Sequence, residues 1–240
     1  MHLAQILFTQ GFGTRRICAG IVAAGRVRIG GCVVDDPHAD IATEGLVFEV
    51  EGRPWPYRER ALLMMNKPAG HECSQKPRHH PSVLSLLPPP LRHRGVQPVG
   101  RLDEDTTGLL LLTDDGVLIH RLTSPKWHVP KVYEAGTRHP VTDEQIARLL
   151  AGVVLDDDPA PVRAASCERT GEQALTLTLT EGKYHQVKRM VAAAGNRVQT
   201  LHRSRFGALQ LPSDLAPGAW CWVQAGEIHT VSDGAPAARD

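Results

Sequence analysis

The segment GRLDEDTTGLLLLTDDG, Gly100 to Gly116, places acidic residues on both sides of a run of four leucines: Asp103, Glu104, Asp105, Asp114 and Asp115. A short unbroken aliphatic run between turn residues predicts a strand that is buried on both faces. Solvated turns at the ends of such a strand account for the acidic pair that follows it. They do not account for Arg101 and Asp103 lying two residues apart beside Gly100, so Asp103 is a candidate functional carboxylate.

The charge of the chain is unevenly distributed, although the net charge is only +1. Residues 67–101 contain six Lys or Arg and one acid, and residues 181–205 again contain six and one. Between them, residues 102–115 contain five acids and no base. Two basic segments around an acidic one could bind a polyanion and present a carboxylate to it. Charge counts alone favour an ordinary solvated surface over such a site.

Two other chemistries fit the acidic segment in part. Asp103, Asp105 and Thr107 fall at the first, third and fifth positions of a calcium-binding loop, but Asp114 stands where that loop needs a bidentate glutamate. The same residues resemble a phosphoryl-transfer turn in which Asp103 attacks and Asp105 acts as the acid. Such a turn follows a strongly apolar strand, and residues 99–102 do not form one.

Composition narrows the class of protein. The 240 residues correspond to one large domain or two at about 100–200 residues per domain. The longest aliphatic run is far shorter than the ~20 residues of a membrane-spanning helix, and the N-terminus lacks the pattern of a signal peptide. The five cysteines are scattered, with no C-x-x-C pair. We therefore expect reduced thiols, a cytoplasmic location, no membrane association and no metal site.

The first 55 residues predict a small separate domain. It contains a helix that ends near Gly11, a second helix capped by Thr14, a hairpin that turns at Gly30-Gly31, and a further strand. The prolines of RPWPYRER then predict a linker, which we place at residues 56–60.

Residues 61–229 predict a second, larger domain of the α+β class, because strands and helices mix without strict alternation. The predicted strands are ALLMMN, GLLLLT, KVYEA, ALTLTLT and VQTLHRSRFG, and the predicted helices are VLIHRLTS, TDEQIARLLAG and HQVKRMVAAAG. The proline-rich residues 76–95 predict a long surface loop around a short helix. Residues 230–240 predict a disordered tail.

Four segments resemble the RsuA family of ribosomal RNA pseudouridine synthases. GRLDEDTTGLLLLTDDG resembles the catalytic motif, MMNKPAG the first strand of the catalytic domain, SPKWHVPKVYEA the tyrosine motif, and EGKYHQVKRMVAAAGNRVQTLHR the basic motif. The first 55 residues resemble an S4-type RNA-binding domain more loosely. The resemblance implies a pseudouridine synthase catalytic domain with a mixed, largely antiparallel sheet, preceded by a small S4-like domain.

The resemblance also implies the roles of individual residues. Asp103 would attack, or assist at, the ribose of the target uridine, so that the glycosidic bond breaks and the uracil rejoins the sugar through carbon. Tyr133 would stack on the uracil and help to remove the proton at C5. Lys188 would form an ion pair with Asp103, and Val187 would pack below the base. A nucleophilic carboxylate must stay ionised among other acids and phosphates, which requires a nearby cation.

The remaining basic residues are candidate RNA contacts. Arg101 would contact phosphate or support the flipped nucleotide, since a base must leave its stack to reach Asp103. Other candidates for phosphate contacts are Lys183, Arg189, Arg203 and Arg205, together with Arg15 and Arg16 in the S4-like domain. Thr106 and Thr107 are expected to fix the acidic loop through hydrogen bonds from their hydroxyls to the backbone.

The target class follows from the basic motif. Tyr184–Arg189, YHQVKR, resembles the enzymes that modify the small subunit, and implies 16S rRNA in an assembly intermediate, at the position equivalent to uridine 516. Two alternatives stay open: a 23S rRNA enzyme of the RluB, RluE or RluF type, and a catalytically silent RNA-binding assembly factor. The resemblance implies a monomer without a cofactor.

Overall fold

The computed structural model describes residues 1–228, so the predicted tail at 230–240 lies outside the described residues. The chain forms two compact units. The first contains Met1–Ala61 and Leu84–Gln97, and the second contains Leu62–Val83 and, among the described residues, 98–228. No helix within residues 1–228 is long and apolar enough to cross a membrane.

The first unit combines two helices with a four-stranded antiparallel sheet of order β2-β1-β3-β4. Its elements are α1 (Leu3–Thr9), α2 (Arg15–Ala23), β1 (Val27–Ile29), β2 (Cys32–Val33), β3 (Val47–Val50), β4 (Arg53–Pro56) and α3 (Pro89–His93). Leu3, Ile6 and Leu7 lie on one face of α1 and are fully buried. The predicted cap of α2 is confirmed, since the Thr14 side chain accepts a hydrogen bond from the Ile17 N–H.

Strand β4 differs from the prediction, because part of the proline-containing segment is a strand and not a linker. β4 pairs with β3 through the register Glu49↔Pro54 and Val47↔Pro56. It lies at the edge of the sheet, and an edge strand can place the missing N–H groups of its prolines away from its partner. The two prolines alternate along the strand, which keeps both on the same side.

Residues 84–97 also differ from the prediction, which placed them in the second domain. The predicted short helix is present as α3, but it packs within the first unit. Arg94 donates hydrogen bonds to the Gln10 side chain at 2.8 Å and to the Arg58 carbonyl at 2.9 Å. These contacts tie the segment to residues of the small unit.

The second unit is an α+β domain. Its helices are α4 (Gly116–Thr123), α5 (Asp143–Ala151) and α6 (Gln186–Ala193). Its strands are β5 (Leu62–Lys67), β7 (Thr107–Thr113), β8 (Lys131–Thr137), β9 (Val153–Leu155), β10 (Asp158–Val162), β11 (Ser166–Gly171), β12 (Ala174–Leu179), β13 (Val198–Phe206), β14 (Leu209–Gln210) and β15 (Trp220–Trp222). The label β6 is given to the short strand Gln97–Pro98. Short 3-10 turns occur at Pro125–Trp127 and Ala225–Glu227 in this unit, and a third, Val83–Leu86, lies where the chain passes from the second unit to the first.

The main sheet of this unit has the strand order β11-β12-β8-β13-β7-β5-β15, and β14 pairs with β13. β13 and β7 are parallel, and the other pairs along this order are antiparallel. The predicted mixed, largely antiparallel sheet is therefore confirmed. Gly108 allows the close approach of the parallel pair: its φ is +102°, and a Cβ there would lie 2.3 Å from the Arg203 carbonyl oxygen.

The four-leucine run is confirmed as the buried strand β7. Leu109–Leu112 have no exposed surface, because β7 lies between β13 and β5 and is covered on both faces. The Asp115 side chain caps the following helix by accepting hydrogen bonds from the N–H groups of Val117 and Leu118. The pair Asp114-Asp115 thus lies between the end of β7 and the start of α4. Asp103, on the other side of β7, lines a cavity.

Candidate active site

Asp103 lies in the loop that leads into β7, and two nitrogen-bearing side chains contact its carboxylate. The Lys188 Nζ is 3.1 Å from Oδ2, and the His185 Nε2 is 3.2 Å from Oδ1. The Asp103 side chain is 25% exposed, so its carboxylate is accessible while being held on both oxygens. The ion pair with Lys188 is the arrangement that the sequence predicted.

Lys188 contacts a second carboxylate as well, with its Nζ 2.6 Å from Asp105 Oδ1. Partial burial of the ammonium favours its neutral form, but its hydrogen bonds to Asp105 and Asp103 outweigh this effect and raise the pKa of Lys188. Desolvation acts to raise the pKa of Asp105, and the hydrogen bond and charge of Lys188 outweigh it, so the pKa of Asp105 is lowered. Lys188 therefore stays charged between the two acids.

Helix α6 positions Lys188 through the burial of its opposite face. Val187, Met190 and Val191 are buried against the domain. The helix begins after His185, which adopts a left-handed conformation with φ +47°. The first helical residue, Gln186, accepts a hydrogen bond from the Lys183 N–H and donates one to Glu181, each at 2.8 Å. This hydrogen-bonded turn fixes the start of α6, and with it the position of His185 beside Asp103.

One cavity brings together the predicted base-contacting residues. Asp103, Tyr133 and Val187 all line it, with Arg101 and Leu201 at other parts of its wall. Tyr133 belongs to β8 and is 9% exposed, and Val187 is 4% exposed. A planar group that enters this cavity would meet an aromatic ring, an aliphatic side chain and a carboxylate. The cavity therefore suits a flat, partly apolar ring with a polar edge, such as a pyrimidine.

Lys67, at the end of β5, holds the loop that carries Asp103. Its side chain is completely buried, and its Nζ donates hydrogen bonds to the carbonyls of Pro68 at 3.0 Å, Glu104 at 2.9 Å and Thr106 at 2.8 Å. Burial lowers the pKa of Lys67, and nearby negative charges offset this only in part. The ammonium thus replaces backbone N–H donors for a loop that does not form regular structure.

A second loop, at residues 72–80, is organised around the Glu72 carboxylate. Its oxygens accept hydrogen bonds from the N–H groups of His79 at 2.8 Å, His80 at 2.9 Å and Arg78 at 3.1 Å. These bonds stabilise the ionised form and lower the pKa of Glu72 to about 2. Glu72 also lines a larger cavity next to Asp103, so this basic loop borders the candidate site.

We predict that Glu72→Gln destabilises the protein in a way that depends on pH. In the unfolded chain the pKa of Glu72 is ordinary, so the unfolded state takes up a proton first as the pH falls. The stabilising effect of Glu72 is therefore complete at neutral pH and is lost progressively between about pH 4.5 and 2. Urea denaturation at pH 7 and pH 3 should give a difference in the free energy of unfolding between wild type and variant that is smaller at pH 3.

Glu168→Gln serves as the control for this prediction, because Glu168 is an exposed glutamate on β11. Glu168→Gln should change the free energy of unfolding only slightly at both pH values. A difference between wild type and Glu72→Gln that does not change from pH 7 to pH 3 would contradict the role assigned to the carboxylate.

The structure places the predicted RNA-contact residues in different surroundings. Arg101 is exposed and Lys183 is partly exposed, and both line the cavities beside Asp103. Arg189 points elsewhere, donating to the Asp157 carboxylate and lining a separate cavity. Arg205 is exposed on β13. In the first unit Arg15 and Arg16 are exposed on α2, with the Arg15 guanidinium stacked over the Phe8 ring at 4.5 Å.

Arg203 is a correction, because the structure buries it where a solvated phosphate contact was predicted. It is 2% exposed, its Nε donates to the Leu109 carbonyl at 2.8 Å, and its guanidinium lies 5.2 Å from the centre of the Phe206 ring. Arg203 shares the inward face of β13 with Leu201, two residues earlier. An irregularity between Arg203 and Arg205 breaks this alternation, so Arg205 points outward.

The expected role of the two threonines is confirmed for one of them only. The Thr107 hydroxyl donates to the Leu201 carbonyl at 3.4 Å and contacts the His202 ring nitrogen at 2.9 Å. The Thr106 hydroxyl is buried and has no hydrogen-bond partner among residues 1–228. Lys67, and not the Thr106 hydroxyl, therefore holds this part of the loop.

Three residues of the site were not predicted: His185, Asp105 and Lys67. His185 and Asp105 each lie within a few residues of a predicted catalytic residue, so proximity in sequence was the available signal. Lys67 follows the apolar run of β5, and a charged residue at that place usually marks the solvated end of a strand. Its burial depends on three carbonyls, that of the adjacent Pro68 and two that the distant loop supplies, those of Glu104 and Thr106.

The arrangement supports chemistry by a carboxylate nucleophile or base. Within residues 1–228 no group of three or more His, Cys, Asp or Glu side chains has the arrangement of a metal site. The predictions that the protein needs neither a metal nor a cofactor stay predictions. What the site provides is one cavity lined by a partly exposed carboxylate and an aromatic ring, with a charged ammonium paired to that carboxylate.

Comparison with known proteins identifies the family. The sequence profile of the RNA pseudouridylate synthase family matches residues 61–193. The chain is 39% identical to ribosomal small subunit pseudouridine synthase A of Yersinia pestis, over 98% of this chain and 99% of that protein. It is 38% identical to the Escherichia coli protein of the same name, over 96% of this chain and all of that protein.

The fold indicates the same family. The structure superposes on a crystal structure of a pseudouridylate synthase with a TM-score of 0.68 and 34% identity, covering 96% of this chain and 99% of that one. An uncharacterised RNA pseudouridine synthase of Bacillus subtilis, YtzG, is 39% identical over 97% of this chain and 99% of its own length. The cavity lined by Asp103 and Tyr133, with Lys188 paired to Asp103, therefore lies in a chain that belongs to the RNA pseudouridine synthase family, of the RsuA type.

Proposed function

We propose that this enzyme isomerises a specific uridine of 16S rRNA to pseudouridine, at the position equivalent to uridine 516, in an assembly intermediate of the small subunit. The similarity to proteins named for the small ribosomal subunit, over nearly the whole chain, supports this target. The observation that carries the proposal is the Asp103 carboxylate, held 3.1 Å from the Lys188 ammonium in a cavity that Tyr133 and Val187 also line.

The reaction rearranges bonds within the nucleotide. Asp103 attacks or assists at C1′ of the flipped uridine, and the bond from N1 to C1′ breaks. The freed uracil turns and C5 bonds to C1′, and any bond that Asp103 formed to C1′ breaks in this step, with its electron pair returning to the carboxylate oxygen. The proton at C5 then leaves with help from Tyr133 while N1 is protonated. The product is an isomer of the substrate, so the overall reaction needs no oxidant, reductant or group donor. Lys188, 3.1 Å from Asp103, offsets the negative charge of the RNA phosphates beside the carboxylate.

Two cations that line the cavity provide contacts for the RNA backbone. Arg101 supports the flipped nucleotide or its phosphate, and Lys183 lies at the same opening. The first unit acts as an S4-like RNA-binding domain, with Arg15 and Arg16 as candidate contacts on α2. Arg205 extends the phosphate contacts on β13, and Arg189 contributes only if RNA displaces its bond to Asp157. We propose that the protein acts as a monomer.

Mapping of the modified nucleotide tests the proposal. Purified protein is incubated with unmodified 16S and 23S rRNA and with small-subunit assembly intermediates. Pseudouridine is then located by carbodiimide treatment and primer extension. We expect a single new stop, on the small-subunit RNA. A stop only on 23S rRNA would replace the target with the large subunit, and no stop with demonstrable RNA binding would favour a silent assembly factor.

We predict that Lys188→Met lowers the rate of isomerisation by about 100-fold, because removing one oriented electrostatic partner costs on the order of 10²–10³ in kcat. Lys188→Arg keeps the charge and should retain considerably more activity. The measurement is tritium release from RNA labelled at C5 of uridine, under single-turnover conditions.

The matched control is Lys183→Met, which removes another lysine that lines the same cavity. It should raise KM for RNA while leaving kcat within a few-fold of wild type. If Lys188→Met and Lys183→Met changed KM alike and left kcat unchanged, Lys188 would be an RNA contact and not the partner of the nucleophile.

A further inference from the structure

The larger cavity beside Asp103 has an exposed aromatic side chain at its wall. Tyr184 is 70% exposed and lines this cavity together with Arg101, Lys183 and Asp103. An aromatic ring that is mostly in water has hydrophobic area that a ligand can cover. Nothing assigned so far to the reaction uses this ring.

The Tyr184 ring is held in place by its neighbours. It stacks on the His185 ring with a centroid distance of 3.8 Å and an interplanar angle of 19°. The Tyr184 carbonyl accepts a hydrogen bond from Arg189 at 3.2 Å, which fixes the backbone at the start of α6. His185 in turn contacts Asp103. The exposed ring is thus part of a stack that ends at the proposed nucleophile.

We propose that Tyr184 is a stacking platform for the base of a nucleotide next to the target uridine, a role that rests on the proposed function. When the uridine leaves its stack to enter the Asp103 cavity, its neighbour loses a stacking partner. Protein aromatic rings replace such partners in single-stranded RNA recognition, and every base presents a flat face that fits.

The charges of the same cavity favour RNA as the occupant. Arg101 and Lys183 line it, so the phosphates on either side of a stacked base have cations within the same opening. The cavity also continues to Asp103, which the target uridine must reach. A base on Tyr184 would press the ring onto His185 and so hold His185 against the Asp103 carboxylate.

Substitutions that keep or remove the ring test this proposal. Tyr184→Leu should weaken binding of 16S rRNA and raise KM by about 10- to 100-fold, the effect expected from loss of one base–aromatic stack, while kcat stays within a few-fold of wild type. Tyr184→Phe keeps the ring and should stay within about twofold of wild type in both quantities. Because Tyr184 is exposed, neither variant removes a core side chain.

Trp127→Leu is the matched control. Trp127 is 39% exposed in the same unit and lines neither cavity next to Asp103. Loss of this ring should leave RNA binding and KM unchanged. Equal effects of Trp127→Leu and Tyr184→Leu would show a general role of surface aromatic area and overturn the proposed platform.

Abasic nucleotides locate the base. Removing the base on the correct side of the target uridine should weaken wild-type binding about as much as Tyr184→Leu does, and should cost the leucine variant little more. If the loss of affinity from the abasic nucleotide and the loss from Tyr184→Leu multiply, whether the base is removed before or after the target uridine, the base does not stack on Tyr184.

Binding measurements separate this proposal from the proposed function. Equilibrium binding of 16S and 23S rRNA transcripts is measured without reference to turnover. If wild type binds but isomerises no uridine, and Tyr184→Leu binds more weakly, the platform stands and the proposed activity fails. If wild type modifies 16S rRNA and Tyr184→Leu matches it in affinity and KM, the activity stands and the platform fails.

Discussion

Asp103→Asn is expected to abolish isomerisation, with a loss of at least about a thousandfold, as for other enzymes that lose their nucleophile. The amide has nearly the shape of the carboxylate but lacks the charge and the nucleophilic oxygen that the proposed step requires. The measurement is tritium release from RNA labelled at C5 of uridine, compared with wild type at saturating enzyme.

The fold should survive this substitution. The Asp103 side chain is partly exposed, and Lys188 keeps its shorter contact of 2.6 Å to Asp105. Asp105→Asn is the matched control: it removes the neighbouring carboxylate while leaving Lys188 3.1 Å from Asp103. Its loss of activity should be less than about tenfold. Equal tritium release from wild type and Asp103→Asn would remove Asp103 from the reaction.

Lys67→Met is expected to have the largest effect on stability. It removes a donor from three carbonyls, of which that of Glu104 keeps a hydrogen bond from the Gly70 N–H. The carbonyls of Pro68 and Thr106 lose the Lys67 donor without this compensation, and an unsatisfied buried polar group costs about 1–3 kcal/mol. Relief from burying the ammonium offsets part of this cost, so we expect a loss of about 2–4 kcal/mol in the free energy of unfolding. Activity should also fall, since the loop that carries Asp103 loses its anchor. Urea denaturation and tritium release measure the two effects.

The pH dependence distinguishes Lys67 from a residue that merely packs. Burial lowers the pKa of Lys67, so in the alkaline range the unfolded chain binds this proton more readily than the folded one. The stability of wild type relative to Lys67→Met should therefore increase as the pH rises through the lowered pKa towards the ordinary value. A constant difference over this range would contradict a buried, charged Lys67 at neutral pH.

Lys131→Met is the control for burial of a lysine. Lys131 donates to one carbonyl, that of Val129 at 2.8 Å, and burial together with the nearby Arg203 lowers its pKa to about 8. Because Lys131→Met removes one hydrogen bond to a carbonyl and Lys67→Met removes three, the loss in the free energy of unfolding should be smaller for Lys131→Met. An equal or larger loss in Lys131→Met would indicate that the carbonyl contacts of Lys67 are not what stabilises the loop.

The sequence was most informative where a local pattern determines the structure. The leucine run of β7, the alternating residues of β12 and the apolar face of α6 were predicted because burial imposes a period of two or 3.6 residues. The short strands β9, β10, β11 and β15 were not, since they have little pattern of their own. β15 exists because it pairs with β5, through contacts between residues more than 150 positions apart.

The errors at charged residues have a common cause. Arg203 was predicted to be a solvated phosphate contact, and Lys67 was given no role. Both are buried, because backbone carbonyls of other segments accept their hydrogen bonds. The alternation that places Arg203 on the same face as Leu201 was visible in the sequence. The acceptors were not, because they belong to loops and strands that only the tertiary fold brings near.

The central claim is that the Asp103 cavity isomerises one uridine of small-subunit rRNA. The most direct measurement is the amount of tritium that wild-type protein releases from C5-labelled 16S rRNA or its assembly intermediate, with labelled 23S rRNA assayed in parallel. We expect release to level off at about one equivalent per small-subunit RNA and to stay at background with 23S rRNA. Background release from every small-subunit substrate, by protein that is folded and binds RNA, would contradict the claim.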